Sequence, residues 1–234
     1  MFKQTILVAA VAGLVLALAA TSANAAVIFT NQVLADDGSN LDNSDTLLTA
    51  VNFYKVGSEA AGNSDVTLNG ITFTAFPLSG GYNQGNTYFT QDATGVDTNR
   101  TSGVTSDKPI YELLYDGALY ATGETPGNFL TITNLTAGNP YRLQMVFSAS
   151  NVRWVTVASD GVDSGPLFNY GPGYGPALLT ATWTAGGASQ VFTCSPDNKI
   201  PTLSGFALHL VPEPATLALL GLGGLGLVLR RKRR

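Results

Sequence analysis

The last two dozen residues decide where the rest of the chain can fold. Val211, Pro212, Glu213 and Pro214 lead into an uncharged apolar run from Ala215 to Leu229, which ends in five basic residues, Arg230, Arg231, Lys232, Arg233 and Arg234. The two prolines bar this segment from continuing a helix that begins upstream. As a helix, a run of about fifteen residues at about 1.5 Å each makes a rod of roughly 22 Å, against a hydrocarbon core of about 30 Å. Such a rod spans only with help. Snorkelling arginines and the flanking Val211 make up part of the shortfall, and the cationic end stays on the cytoplasmic side. Everything before the rod is thereby committed to the other side of the membrane.

The opposite end agrees with that direction. Lys3 precedes an apolar run from Ile6 to Ala20, and Ala23-Asn24-Ala25 forms an A-x-A cleavage signal, which makes Ala26 the first mature residue. An uncleaved N-terminal anchor is the alternative, and no cysteine lies near the site to make a lipoprotein. Three segments follow: a signal peptide over 1–25, one domain over 26–210 and a sorting or anchor segment over 211–234. The domain holds six basic residues against fifteen acidic ones, a balance of minus nine that the basic tail conceals in the whole chain. Acidity of this degree argues against nucleic acid and anionic lipid as partners. Cys194 is the chain's one cysteine, so no internal disulfide forms and an apolar core must hold the fold.

The domain is rich in Thr, Gly, Ser and Asn, with short β-branched and aromatic runs between turn residues, as in all-β proteins. Strands are expected over 26–33, 47–56, 129–135, 141–149, 152–158, 177–183, 189–194 and 203–211. Residues 65–76 alternate on both sides of Asn69-Gly70, a two-residue hairpin signal. Residues 78–107 hold few large apolar side chains and read as a long surface loop with one short strand over 87–91. Pro109 to Asp116, preceded by Asp107, is the one expected soluble helix. The sum is a two-sheet, jelly-roll-like sandwich of about nine strands with one short helix, flanked by an N-terminal signal helix and a C-terminal apolar helix.

The tail, with its Pro212-Glu213-Pro214, apolar run and basic end, resembles the PEP-CTERM sorting segment of exported proteins in exopolysaccharide-producing Gram-negative bacteria. The resemblance implies a membrane-embedded processing enzyme of the exosortase group as partner, cutting near Pro212-Glu213-Pro214, with the inner membrane as a transient anchor and the cell surface or matrix as destination. The residues alone equally describe a permanent tail anchor. A second resemblance runs from about 125 to 210. Leu130-x-Ile132-x-Asn134-Leu135, Gly138, Tyr141-x-Leu143-x-Met145-x-Phe147, Asp160-Gly161 and Leu203-Ser204-Gly205-Phe206 look like jelly-roll domains related to carbohydrate-binding modules.

Chemistry-bearing residues are sparse. The one histidine, His209, alternates with Leu208 and Leu210 in the last strand, and is expected to face solvent. One His and one Cys make no imidazole or thiolate metal site, no cofactor is expected, and Cys194 reads as a small core filler. Glu112 with Asp116, and Asp160 with Asp163, are carboxylate pairs of the kind a glycosidase needs, though equally ordinary on a solvated surface. Asp36, Asp37, Asp42 and Asp45, with Asn40 and Asn43, offer calcium oxygens without EF-hand spacing, or a merely solvated acidic loop. Sugar binding would use exposed aromatic faces beside polar groups. The candidates are Tyr170, Tyr174, Tyr82 and Tyr88 with Arg153 and Asp160; the alternative is that these tyrosines pin glycine-rich loops. The resulting expectation is a non-enzymatic exported surface or matrix protein, with an exopolysaccharide-associated, lectin-like module as the alternative.

Overall fold

Alternating apolar residues build strands here because each alternate side chain finds the same buried face. The computed structural model describes residues 26–55, 65–78, 84–91, 95–97, 102–115, 118–120, 127–149, 152, 154–166, 170–195 and 202–212. In chain order the elements are β1 Ile28–Val33, β2 Thr46–Lys55, β3 Val66–Leu68, β4 Ile71–Leu78, β5 Gln84–Asn86, β6 Phe89–Gln91, β7 Gly95–Asp97, α1 Tyr111–Tyr115, β8 Ala118–Tyr120, β9 Gly127–Ile132, β10 Pro140–Phe147, β11 Thr156–Ser159, β12 Val162–Pro166, β13 Ala177–Thr184, β14 Gln190–Ser195 and β15 Thr202–Leu210. The two expected terminal helices lie outside the described residues.

Two sheets form a sandwich. The larger runs β1-β13-β10-β15-β2-β4-β3, with β8 and β7 beside β15; the smaller runs β12-β11-β14-β9-β6-β5. Eight of the strands pair in a nested pattern: β2 with β15, β9 with β14, β10 with β13 and β11 with β12, all antiparallel. A long hairpin wrapped around the core produces this order, first strand against last. Outside it, β4 joins β2 in parallel. A parallel neighbour needs a crossover, and β3 falls within the connection between the two.

Turn chemistry sets two registers. Asn69 and Gly70 have φ of 46° and 77°, and Leu68 pairs with Ile71 across them. Asp160 and Gly161, at 51° and 76°, join Ser159 to Val162 in the same way. Both pairs adopt the doubly positive φ that a two-residue type I′ turn requires. The Asn69-Gly70 hairpin agrees with the sequence expectation. The strand after Asp160-Gly161 was not anticipated, because Val162–Pro166 carries little apolar alternation.

Between the sheets, Phe53, Phe89 and Phe206 meet at centroid distances of 5.1–5.9 Å, with Phe76 against Phe53 and Phe89. Farther along, Trp183 lies between Tyr141 and Phe192. Residues 78–107 are therefore no simple surface loop: they contribute β5, β6 and β7, and Phe89 is wholly buried. One large aromatic flanked by Gly, Asn and Thr carries too weak a periodic signal to announce this. Nor are there about nine strands, since the described residues hold fifteen, several only three residues long.

A second apolar layer covers the outer face of the larger sheet. Leu34 and Leu41 from the β1–β2 connection, Ile71 and Phe73 from β4, and Ile110, Leu113 and Leu114 around α1 pack on Val146, Leu178 and Ala207. The helix is shorter than expected. It begins two residues after Pro109, and Ile110 N–H is drawn instead to the Asp36 carbonyl at 3.3 Å. Residues 202–209 of β15 are consequently buried on both faces, and His209, expected in solvent, is 0 % exposed. Alternation told which residues share a face, but not that a second layer closes over it.

Candidate functional site

The C-terminal segment leaves the sandwich without a spacer. Leu210, the last residue of β15, pairs with Tyr141 on one side and Thr46 on the other. Val211 still belongs to the fold, because its N–H donates to the Pro140 carbonyl at 3.0 Å. Pro212 has no N–H to continue the ladder and turns outward exposed. Thr46, Asn139, Pro140, Leu210, Val211 and Pro212 line a hollow of about 320 Å³ at this point. Glu213, Pro214 and Arg230, Arg231, Lys232, Arg233 and Arg234 lie outside the described residues, as do Ala23 and Ala25. Ala26 is described and exposed.

Two loops beside Val211 brace each other. Leu135 N–H donates to the Ala188 carbonyl, Gly138 N–H to the Ala185 carbonyl, and Ala185 N–H to the Asn139 carbonyl, at 2.8–3.1 Å. The Tyr141 hydroxyl accepts from Thr136 N–H at 2.8 Å. Residues 135–140 and 185–188 thus form one firm rim.

One cation at this pole is shared by two carboxylates. Arg142, 11 % exposed, donates to the carboxylates of Asp42 and Asp45, the latter at 3.0 Å. Burial would raise the Asp42 carboxyl, but the Ser44 hydrogen bonds and the Arg142 charge outweigh it and hold the acid below its usual range. Gln144, with its amide oriented to match, donates to the Asp42 carbonyl at 2.7 Å and accepts from Asp42 N–H at 2.9 Å. Next to Arg142 across the ladder sits His209, neither of whose ring nitrogens reaches a hydrogen-bond partner. Burial and then the Arg142 charge push this imidazole's pKa down, while the Asp45 backbone and the charges of Asp45 and Asp42 pull weakly the other way. The ring is a neutral filler beneath an ion pair.

The acidic connection expected to offer calcium oxygens spends its side chains on itself. Asn40 accepts from Ala35 N–H and donates to the Val33 carbonyl. Asp37 accepts from Ser39 N–H, Asp42 and Asp45 take Arg142, and Asn43 donates to the Asn69 carbonyl. These bonds tie the β1–β2 connection across the sheet and to the β3–β4 turn. Sequence reasoning missed Arg142 and Gln144 as its anchors, since a residue 100 positions away gives no local signal.

The sugar-binding candidates do not converge. Tyr170 is buried, 6.1 Å from Phe147, so it offers no exposed face to a sugar: its ring pins the glycine-rich loop onto the core, the alternative expected for these tyrosines. Tyr174 is 51 % exposed, in a loop closed by the Gly171–Gly175 bridge that feeds the start of β13. Asp160 lies in the β11–β12 turn, with its carboxylate accepting from Gln190 Nε2 at 2.9 Å, and Gln190 opens β14 beside the rim. Register places Tyr174 and Asp160 at opposite ends of the strands, on the order of 20 Å apart. Tyr82 and Arg153 lie outside the described residues, as do Asp116 and the side chain of Glu112. Asp163 accepts from Gly165 N–H within its own strand. Cys194 is buried, and burial pushes its thiol up to about 12, so it fills space in the core, as expected.

Among the described residues no helix is long and apolar enough to cross a membrane, and no group of three or more His, Cys, Asp or Glu side chains is placed to hold a metal ion. No curated protein and no solved structure matches the chain. Residues 210–234 match the family model of the PEP-CTERM protein-sorting motif, which begins at the residue where β15 ends. That motif indicates C-terminal sorting of an exported protein in association with a membrane, and it is associated with processing by the membrane enzyme exosortase.

Proposed function

We propose that the chain is a non-enzymatic structural protein of the cell surface or extracellular matrix, and that its sandwich is cargo delivered by the C-terminal segment. The observation that carries this reading is the position of the sorting motif, which starts where the last core strand stops. In the precursor, the apolar run holds the domain at the outer side of the inner membrane. Exosortase-type processing near Pro212-Glu213-Pro214 then releases or transfers it. The ionisable groups of the tag pole are committed to structure: Asp42 and Asp45 neutralise Arg142, His209 is sealed under them, and the Cys194 thiol is far from ionising near neutral pH. The nested pairing of β2 to β15 supports reading the sandwich as a jelly roll.

Mass spectrometry of the mature protein's C-terminus tests the proposal. A mass lacking Arg230 to Arg234 is the expected result; an intact basic tail on the surface-located protein would overturn processing. A reporter placed after Leu210 in the precursor should be found outside the cytoplasm. A second reading, weak glycan contact, is favoured by the half-exposed Tyr174 ring on its bridge-closed loop, because a flat exposed aromatic can stack on a sugar face. Saturable binding of exopolysaccharide fragments that Tyr174→Ala abolishes would establish it.

A further inference from the structure

Both ends of the folded domain leave from one pole. β1 starts at Ile28, opposite Thr182 near the end of β13; Thr182 faces Arg142 near the start of β10, Arg142 faces His209 near the end of β15, and His209 faces Leu47 near the start of β2. This one row places Ala26 at the same end as Val211. The reach of the chain on either side is short. Three residues separate Val211, whose N–H is still bonded to the domain, from the apolar run at Ala215, at most about 14 Å of extended chain from Cα to Cα. Five residues separate Ala26 from the N-terminal apolar run that closes at Ala20, about 20 Å at most from Cα to Cα.

Exposed apolar side chains stand at this pole, as Val33 and Tyr174 do at the opposite one. Ile28 is 64 % exposed and Leu47 39 %, the two ends of the row that carries Arg142 and His209. Val191, also exposed, follows Gln190 at the same end of the smaller sheet. Between them the rim consists of Thr136, Ala137, Gly138, Gly186, Gly187, Ala188 and Ser189, none of them charged. Arg142 is occupied by two carboxylates, and among the described residues Asp42, whose side chain is 47 % exposed, Asp160 and Asp163 remain exposed and acidic there.

We infer that this pole is the face that rests on the lipid surface while the precursor is anchored, with Ile28 and Leu47 entering the headgroup layer at its margin. The inference rests on the anchored precursor proposed above. A short tether brings the pole near the bilayer, and the exposed apolar side chains favour contact at its margin. With no free cation on the pole among the described residues, contact does not depend on anionic lipid. The opposite pole, with Tyr174 and Val33, faces away and stays accessible.

The full-length chain in phosphatidylcholine vesicles tests this. Single cysteines at Thr136, Ala188 and, at the far pole, Tyr174 are labelled with a fluorophore in a Cys194→Ala background, and quenching by nitroxide-headgroup lipid is read at each. Labels at 136 and 188 should be quenched at least threefold more than the label at 174, with the same ratio when phosphatidylglycerol is added. Ile28→Ser with Leu47→Ser, both surface changes, should reduce the ratio toward one. Equal quenching at the two poles, or a ratio that the double variant leaves unchanged, would overturn the inference. Flotation of the chain with the vesicles is scored separately. Failure to float defeats the anchored-precursor reading itself, whereas flotation with uniform quenching defeats only the orientation.

Discussion

Gly205 is the residue whose replacement tests the wrapped architecture most directly. It lies in the middle of β15, pairing with Val146 of β10 and Asn52 of β2. A Cβ there would stand 2.5 Å from the Val51 carbonyl oxygen and 3.0 Å from Leu113 Cδ1 of α1. A carbon against a carbonyl oxygen settles at about 3.3 Å, so the first contact is too close by about 0.8 Å. Leu113 can rotate, but the Val51 carbonyl belongs to a paired strand and cannot retreat without disturbing the ladder. Overpacking of this kind costs about 1–3 kcal/mol, and the backbone partner places Gly205→Ala at the upper end, about 2–3 kcal/mol. Gly187→Ala is the control: nothing lies within 4 Å of its added carbon, so it should stay within about 0.5 kcal/mol of the parent. Urea unfolding of residues 26–212 followed by tryptophan fluorescence reads both, since Trp183 is buried between Tyr141 and Phe192. At about 2 kcal/mol per molar of urea, the Gly205→Ala midpoint should fall by about 1 M. A shift no larger than that of Gly187→Ala would refute the packing of β2 and α1 against β15.

Three further outcomes are expected. Phe89→Ala should destabilise the domain by about 3–5 kcal/mol in the same unfolding assay, as a core deletion does; a loss under about 0.5 kcal/mol would return residues 84–97 to the surface. His209 has its pKa lowered on folding, so the unfolded chain binds its proton more readily, and stability should be full above about pH 6.5 and decline as the pH drops through 6. His209→Gln should remove that decline, and because the chain has one histidine, a parent curve flat from pH 7.5 to 5.5 would contradict the buried neutral ring. The Cys194 thiol should resist a disulfide reagent at pH 8 in the native domain and react at once in urea; native-state labelling at the unfolded rate would place it outside the core.

Local pattern was enough for much of this protein. The strands over 28–33, 46–55, 140–147, 177–184 and 202–210 follow from alternation, and Asn69-Gly70 makes its hairpin because few other pairs accept two positive φ values in succession. The order of Pro212-Glu213-Pro214, greasy run and cations carries the resemblance to the sorting motif independently of the fold, and hydrophobic length and charge orient such a segment without tertiary context. His209 and Phe89 depart from the sequence expectation for one shared reason. Periodicity assigns a side chain to a side of the sheet, and only the packed chain reveals whether that side meets water, the loop through Leu34 and Leu41, or another sheet. The same limit hid Asp42 and Asp45 as partners of Arg142. It also hid the position of the two chain ends at one pole, because strand order, unlike strand identity, is set by which distant surfaces exclude the most water when they meet.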